Sequence, residues 1–185
     1  MVYLGCAAFL AFFWGDINDW KLHQKWLSWL FPAGVVLLAI SVIAQSSISK
    51  GLIHVLWIQI LVLGFGAFSL WMLIKCLFFS FPAKDAYIEP GKTRAVCTDG
   101  QYGICRHPGV WWLFFLMLSL NIAAGLPLSS LMIYTVLNLL LVLFEDRIVF
   151  PSVLSGYVQY CRKVPMLVPC FNHAGMHSEQ EMEKK

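Results

Sequence analysis

Four ionisable residues pose the chemical question. Arg106 and His107 stand side by side just before one apolar run, and Glu145 and Asp146 stand side by side near the end of the next. The two runs, Gly109–Leu126 and Leu128–Phe150, meet at Gly125-Leu126-Pro127, a sequence that stops one helix and starts another. A helix rises about 1.5 Å per residue. His107 lies 20 residues before Pro127 and Glu145 lies 18 after it, so an antiparallel hairpin returns both to nearly the same depth. A guanidinium, an imidazole and two carboxylates then converge at one end of the hairpin. Ionisable groups at the edge of hydrocarbon are costly, and are paired or functional. The cluster is either an interfacial salt bridge capping the hairpin or a working site, and spacing is equally compatible with both.

The second run carries more polarity. Tyr134, Asn138 and Glu145 are separated by 4 and 7 residues, which places them on one helical stripe. A polar stripe on a membrane helix faces protein or a wet cavity. It either bridges helices through hydrogen bonds or lines a pocket opening toward Glu145. Asn138 alone favours bridging, and including Glu145 favours the pocket.

The elements that position these residues belong to a membrane. The chain has 185 residues, of which 59% are hydrophobic and 12% charged. A soluble domain is about half apolar and about a quarter charged. So few charges cannot cover a water-facing surface, which excludes disorder, a basic nucleic-acid-binding module and an ordinary cytosolic enzyme. The net charge of +3 is too weak to imply a polyanionic partner, so no nucleic acid is expected. The expected fold is all-α and polytopic, with about five transmembrane helices. The apolar runs are Val2–Trp14, Trp26–Ala44, Leu52–Phe81, Gly109–Leu126 and Leu128–Phe150. The first is short, but it lacks a basic leader and a polar mature region, so it reads as a short span and not as a signal peptide. The chain divides into N-terminal transmembrane helices over 1–81 and a core over 82–185, with a long loop, the hairpin and a tail.

Basic residues give the orientation. With five spans, one side holds only Lys50 and the other holds the remaining twelve Lys and Arg. The positive-inside rule puts the N-terminus outside and the long loop and C-terminus in the cytoplasm. Trp14, Trp20, Trp26, Trp29, Trp111 and Trp112 fall near that face, as an aromatic belt. The six cysteines include no CxxC pair and read as free thiols acting as small hydrophobes. His173 and His177 have metal-binding spacing in a polar tail, a weak signal, and no metal is expected.

Residues Thr98-Asp99-Gly100-Gln101-Tyr102-Gly103-Ile104-Cys105-Arg106-His107-Pro108 resemble the T-x-G-x-Y-x-x-x-R-H-P signature of integral membrane methyltransferases. That family includes isoprenylcysteine carboxyl methyltransferases and phospholipid N-methyltransferases. A second block is similar: the Glu145-Asp146 pair, then Tyr157 and Tyr160, then Val164-Pro165 and Pro169. The resemblance covers about Arg94–Pro169.

It implies a helical membrane core that binds S-adenosylmethionine at the cytoplasmic side and methylates a lipophilic small molecule or a lipid. The implied cofactor contacts are Arg94, Ala95, Val96 and Cys97 as a strand-like stretch, Tyr102, the segment His107, Pro108, Gly109 and Val110, and Glu145. Glu145 would accept from the α-amino group, Arg106 or His107 would face the α-carboxylate, and Tyr102 would attract the sulfonium. Arg106 and Glu145 are the implied catalytic residues; positioning accounts for most of an in-line methyl transfer. Tyr134, Asn138 and Leu141 would line the path of the acceptor. Four positions depart from the family: Val110 replaces a frequent Tyr, Val153-Leu154 replaces F-G, Asp146 replaces the second Glu, and Leu141 stands where prenylcysteine enzymes carry Arg. Without that arginine, the expected acceptor presents a neutral or cationic group, such as an amine, or a thiol. Two further readings stand beside the enzyme: a non-catalytic membrane scaffold that keeps this fold, and a small transporter. Polar residues gathered at one face disfavour the transporter.

Overall fold

The computed structural model of the chain describes residues 1–48, 51–53, 55–79 and 94–168. Five longer helices occupy the five apolar runs: α1 (Val2–Ile17), α2 (Leu30–Ile48), α3 (Leu56–Ile74), α4 (Pro108–Ala124) and α5 (Leu128–Phe144). Two short helices follow, α6 (Phe150–Val153) and α7 (Tyr157–Lys163). In hydrocarbon every backbone N–H and C=O must be satisfied within the protein, which forces apolar runs into helices. Three helical stretches are long and apolar enough to cross a membrane: Lys25–Ser46, Leu56–Leu77 and Leu128–Val153. With 16 residues, α1 is shorter than these, as is α4 with 17. Of the five spans expected, three helical stretches among the described residues have spanning length.

Local chemistry sets the hairpin. Pro108 occupies the first turn of α4, where its missing N–H costs nothing and its fixed φ suits the helix. Gly125 ends α4 at φ 70°, in the left-handed region, which a glycine adopts without steric cost. Pro127 then caps α5, and its carbonyl accepts from Ser130 N–H at 3.0 Å. At the other end of α5 the helix widens into a π turn over Glu145–Val149 before α6. Such single π turns are frequent at functional sites. The turn from α1 to α2 also widens, over Asn18–Leu22, and is closed by His23 at φ 49°. Asn18 secures it by accepting from Gln24 N–H at 2.8 Å.

In the membrane layer α1 packs on α2 and α5, and α3 packs on α4. The core between them holds Phe9, Val42, Leu113, Met117, Leu126, Leu131 and Tyr134. A second, smaller core lies beyond α5: Leu154, Tyr157, Tyr160 and Val164, backed by Val96 and Phe150. Its seam is β1 (Arg94–Ala95), which pairs in parallel with β2 (Leu154–Ser155).

The inner part of the helical layer is polar and closed. Tyr134 has no exposed surface. Its hydroxyl meets Ser41 Oγ at 2.8 Å and accepts from Gln45 Nε2 at 3.0 Å. Ser130 Oγ donates to Gln45 Oε1, and Ser41 Oγ reaches the Met1 carbonyl at 2.9 Å. Gly5 admits this ring: a Cβ there would sit 2.2 Å from Tyr134 Cζ. Tyr134, expected to line a path for an acceptor, is placed in this closed network. The hydroxyl is spent bridging α1, α2 and α5, and the ring is sealed in the core. Leu141 packs against the same core, and Asn138 is half-buried.

Candidate functional site

Three elements bring the ionisable residues together at the far end of the hairpin. His107 caps α4, with Arg106 immediately before it. Glu145 and Asp146 open the π turn after α5. The segment after α7 lies across the head of α4: Arg106 N–H donates to the Pro165 carbonyl at 2.9 Å, and His107 N–H to that of Met166 at 3.1 Å. Arg106, His107, Glu145 and Asp146 thus converge as the helix rise predicts, and the two acids divide their roles.

Asp146 is the anchor. Its Oδ1 accepts from Arg106 Nη1 at 2.7 Å, from Tyr157 Oη at 2.6 Å and from His107 Nε2 at 3.2 Å. A carboxylate only accepts, so the nitrogen that meets it is the protonated one. This one oxygen ties α4, the π turn and α7 together. Burial pushes the Tyr157 hydroxyl up, and its bond to Asp146 pushes it further, which keeps it a donor. Burial opposes the Arg106 charge, but Asp146, Cys161 and Tyr157 outweigh it and hold the guanidinium above its ordinary range. Phe150 stacks on the His107 ring at 5.6 Å and 7°, fixing its plane.

Arg106 is tied into the cluster along one edge of its guanidinium. Its Nη1 is committed to Asp146 and to Cys161 Sγ at 2.7 Å. Its Nε is buried and has no hydrogen-bond partner. Buried donors almost always have one, so this N–H is an exception.

Glu145 faces elsewhere. His107 Nδ1 stands 3.8 Å from Glu145 Oε2, beyond hydrogen-bond reach. On its other side Glu145 lies near Asp16, from the last turn of α1, and the two carboxyls interact. Asp16 lies past the apolar run Val2–Trp14. Burial, then the nearby charge of Asp19, push its carboxyl up to about 7, against the lowering effect of the Glu145 hydrogen bond. Its Oδ2 is buried and unpartnered. Sequence reasoning missed Asp16. The available signal was an acid at the edge of a hydrophobic run, where a charge is costly unless it is used.

The remaining expected contacts surround this cluster. Arg94 and Ala95 do form a strand, extended by Val96 N–H to the Ser155 carbonyl at 3.4 Å. Cys97 follows it, partly exposed. Tyr102 donates its hydroxyl to the Cys76 carbonyl at 3.0 Å, and its own carbonyl accepts from Tyr160 Oη at 2.6 Å. Pro108 and Val110 are buried in the first turn of α4, and Gly109 packs toward Leu73 and Cys76. Trp111 and Trp112, expected in an aromatic belt, donate their indole N–H groups to the Leu167 carbonyl and to Gln101 Oε1. Trp26 and Trp29 are exposed. Cys6, Cys76, Cys97, Cys105 and Cys161 are free. Among the described residues no group of three or more His, Cys, Asp or Glu is arranged to hold a metal. His173, His177 and Cys170 lie outside the described residues.

Comparison with family models, with curated proteins and with solved structures finds no match to the chain.

Proposed function

We propose that this chain is an integral membrane methyltransferase. It uses S-adenosylmethionine and acts on a lipophilic or lipid acceptor at the cytoplasmic face, with five spans and the N-terminus outside. The observation that carries the reading is the pairing of opposite demands in one small cluster. Glu145 and Asp16 form an acidic side, and the orphan Nε of Arg106 forms a cationic donor side. These residues fit the zwitterionic methionine end of the cofactor: the acids suit its ammonium group, and the Arg106 N–H suits its carboxylate. The cofactor, when bound, supplies an electrophilic methyl group on sulfur. The chain's part is to hold and orient. Asp146 fixes Arg106, His107 and Tyr157 in one frame, and a rigid frame is what an in-line displacement needs. The topology rests on twelve basic residues against one.

Calorimetry in detergent tests this. The parent should bind S-adenosylmethionine, and Glu145→Gln should weaken binding roughly ten- to hundredfold. That is the loss of one charge-assisted hydrogen bond, about 1.5–3 kcal/mol. Equal binding by the variant would remove Glu145 from the site. Absence of binding by the parent, together with no transfer of labelled methyl to lipid extract, would overturn the reading. A non-catalytic scaffold is the second reading. It is favoured by Val110, which is buried in the first turn of α4 where the family often has Tyr.

A further inference from the structure

At the corner where the turn from α1 to α2 meets the end of α5, the chain presents cations that no ion pair uses. Lys21 and Lys25 are exposed on the turn between the helices, and Arg147 is exposed on the π turn after α5. None of the three takes part in an ion pair among the described residues. A chain of rings joins the two elements. Lys21 Nζ lies 4.1 Å from the centre of the Trp20 ring, and Trp20 meets Phe144 edge-on at 6.4 Å. Phe144 ends α5, three residues before Arg147. The turn is also held in shape from within: Gln24 N–H donates to Asn18 Oδ1 at 2.8 Å, and Gln24 Nε2 donates to the Leu22 carbonyl at 3.2 Å.

The same corner marks a membrane boundary. One stretch of spanning length begins at Lys25, and another, Leu128–Val153, ends just past Arg147. Trp26 and Trp29 are 71% and 75% exposed. Indoles favour the level of the lipid headgroups, where the ring meets apolar chains and its N–H meets polar groups. We propose that Lys21, Lys25 and Arg147, flanked by Trp20, Trp26 and Trp29, form a docking surface for anionic phospholipid headgroups in the leaflet that borders this end of the bundle.

Charge complementarity selects the occupant. Asp19 is the exposed acid on the turn, so three exposed cations against one acid leave an excess of two positive charges. A zwitterionic headgroup brings as much positive charge as negative and gains little from that excess. A headgroup with net negative charge gains from each cation, roughly fivefold in affinity apiece. The indoles stand beside the same cations, so one lipid meets the charges with its phosphate and the rings with the start of its acyl chains. The turn is folded before the lipid arrives, so little ordering opposes binding. This surface does not depend on methyl transfer.

The test titrates the full chain in detergent with phosphatidylglycerol and with phosphatidylcholine of the same acyl chains, and reads bound lipid by native mass spectrometry. The parent should prefer phosphatidylglycerol by about tenfold or more, and added salt should weaken that preference. The triple variant Lys21→Gln, Lys25→Gln, Arg147→Gln should lose the preference and bind phosphatidylcholine as the parent does. The charge-keeping variant Lys21→Arg, Lys25→Arg, Arg147→Lys should retain it, which separates lost charge from a disturbed fold. Arg162→Gln with Lys163→Gln, exposed cations in the last turn of α7, is the control for charge placed elsewhere and should cost little. Equal affinity of the parent for the two lipids would overturn the proposal, as would an undiminished preference in the triple glutamine variant. An equal loss in the α7 control would overturn it too, because net charge and not this corner would then select the lipid.

Discussion

The molecule contains two buried polar regions, and they are built on opposite principles. One joins Ser41, Gln45, Ser130 and Tyr134 across α2 and α5, with the Met1 carbonyl at its rim. Its members are neutral, and each hydroxyl and amide has a partner. The other joins Asp16, Arg106, His107, Glu145, Asp146 and Tyr157. Its members are ionisable, and Asp16 Oδ2 and Arg106 Nε are left without partners. Tyr134 and Glu145 are 11 residues apart, about 16 Å along the helix. A satisfied neutral network in a membrane bundle holds helices in register. Unsatisfied ionisable groups are a liability that a folded chain tolerates where a ligand will complete them. Polarity inside a membrane protein is thus not one signal: satisfaction separates scaffold from site.

Three substitutions or conditions can break or sharpen that contrast. The largest effect is expected from Arg106→Ala, which leaves Asp146 buried without its cation. Arg106 and Asp146 are 13% and 10% exposed, and breaking a buried pair from one side costs about 3–5 kcal/mol. Thermal unfolding in detergent should show it; a loss under about 1 kcal/mol would mean that the pair behaves as an exposed one. Tyr134→Phe should cost less, about 1 kcal/mol, because Ser41 keeps the Met1 carbonyl and Gln45 keeps the Ser41 carbonyl. It should leave binding of S-adenosylmethionine unchanged. A large loss of binding would return Tyr134 to the site and erase the distinction between the two regions.

The smallest effect is a slope. Asp16 has its carboxyl raised from 3.8 to about 7 in the folded chain. A folded state that holds its proton more tightly than the unfolded one is favoured by low pH. The contribution is fully present below about pH 4 and is lost as pH rises through about 7. Melting of the parent at pH 6 and at pH 8 should therefore show lower stability at pH 8, and Asp16→Asn should reduce that difference. An unchanged slope in the variant would show that Asp16 is not the group behind it.

Much of the fold was legible because its causes are local. Pro108, Gly125 and Pro127 mark the hairpin by their own backbone preferences. The constant rise of a helix was enough to bring His107 and Glu145 to one depth. The strand at Arg94–Ala95, expected from the resemblance, is present. Partnerships across helices were not legible. The spacing of Tyr134 shows which stripe it occupies, but not that α2 presents Ser41 and Gln45 to it, nor that Gly5 opens the space for its ring.

The sequence by itself determined the apolar runs, the breaks between them and the set of acids and bases at one end of the hairpin, since each depends on residues near one another in the chain. Only the tertiary structure decided what each charge does. Arg106, read as a ligand contact, turns its Nη1 into Asp146, and Asp16 arrives from 129 positions away to face Glu145. Periodicity fixes which face of a helix a residue occupies. The neighbour it meets there is fixed by how α1, α4 and α5 pack, and that depends on the volume and shape of every side chain between them.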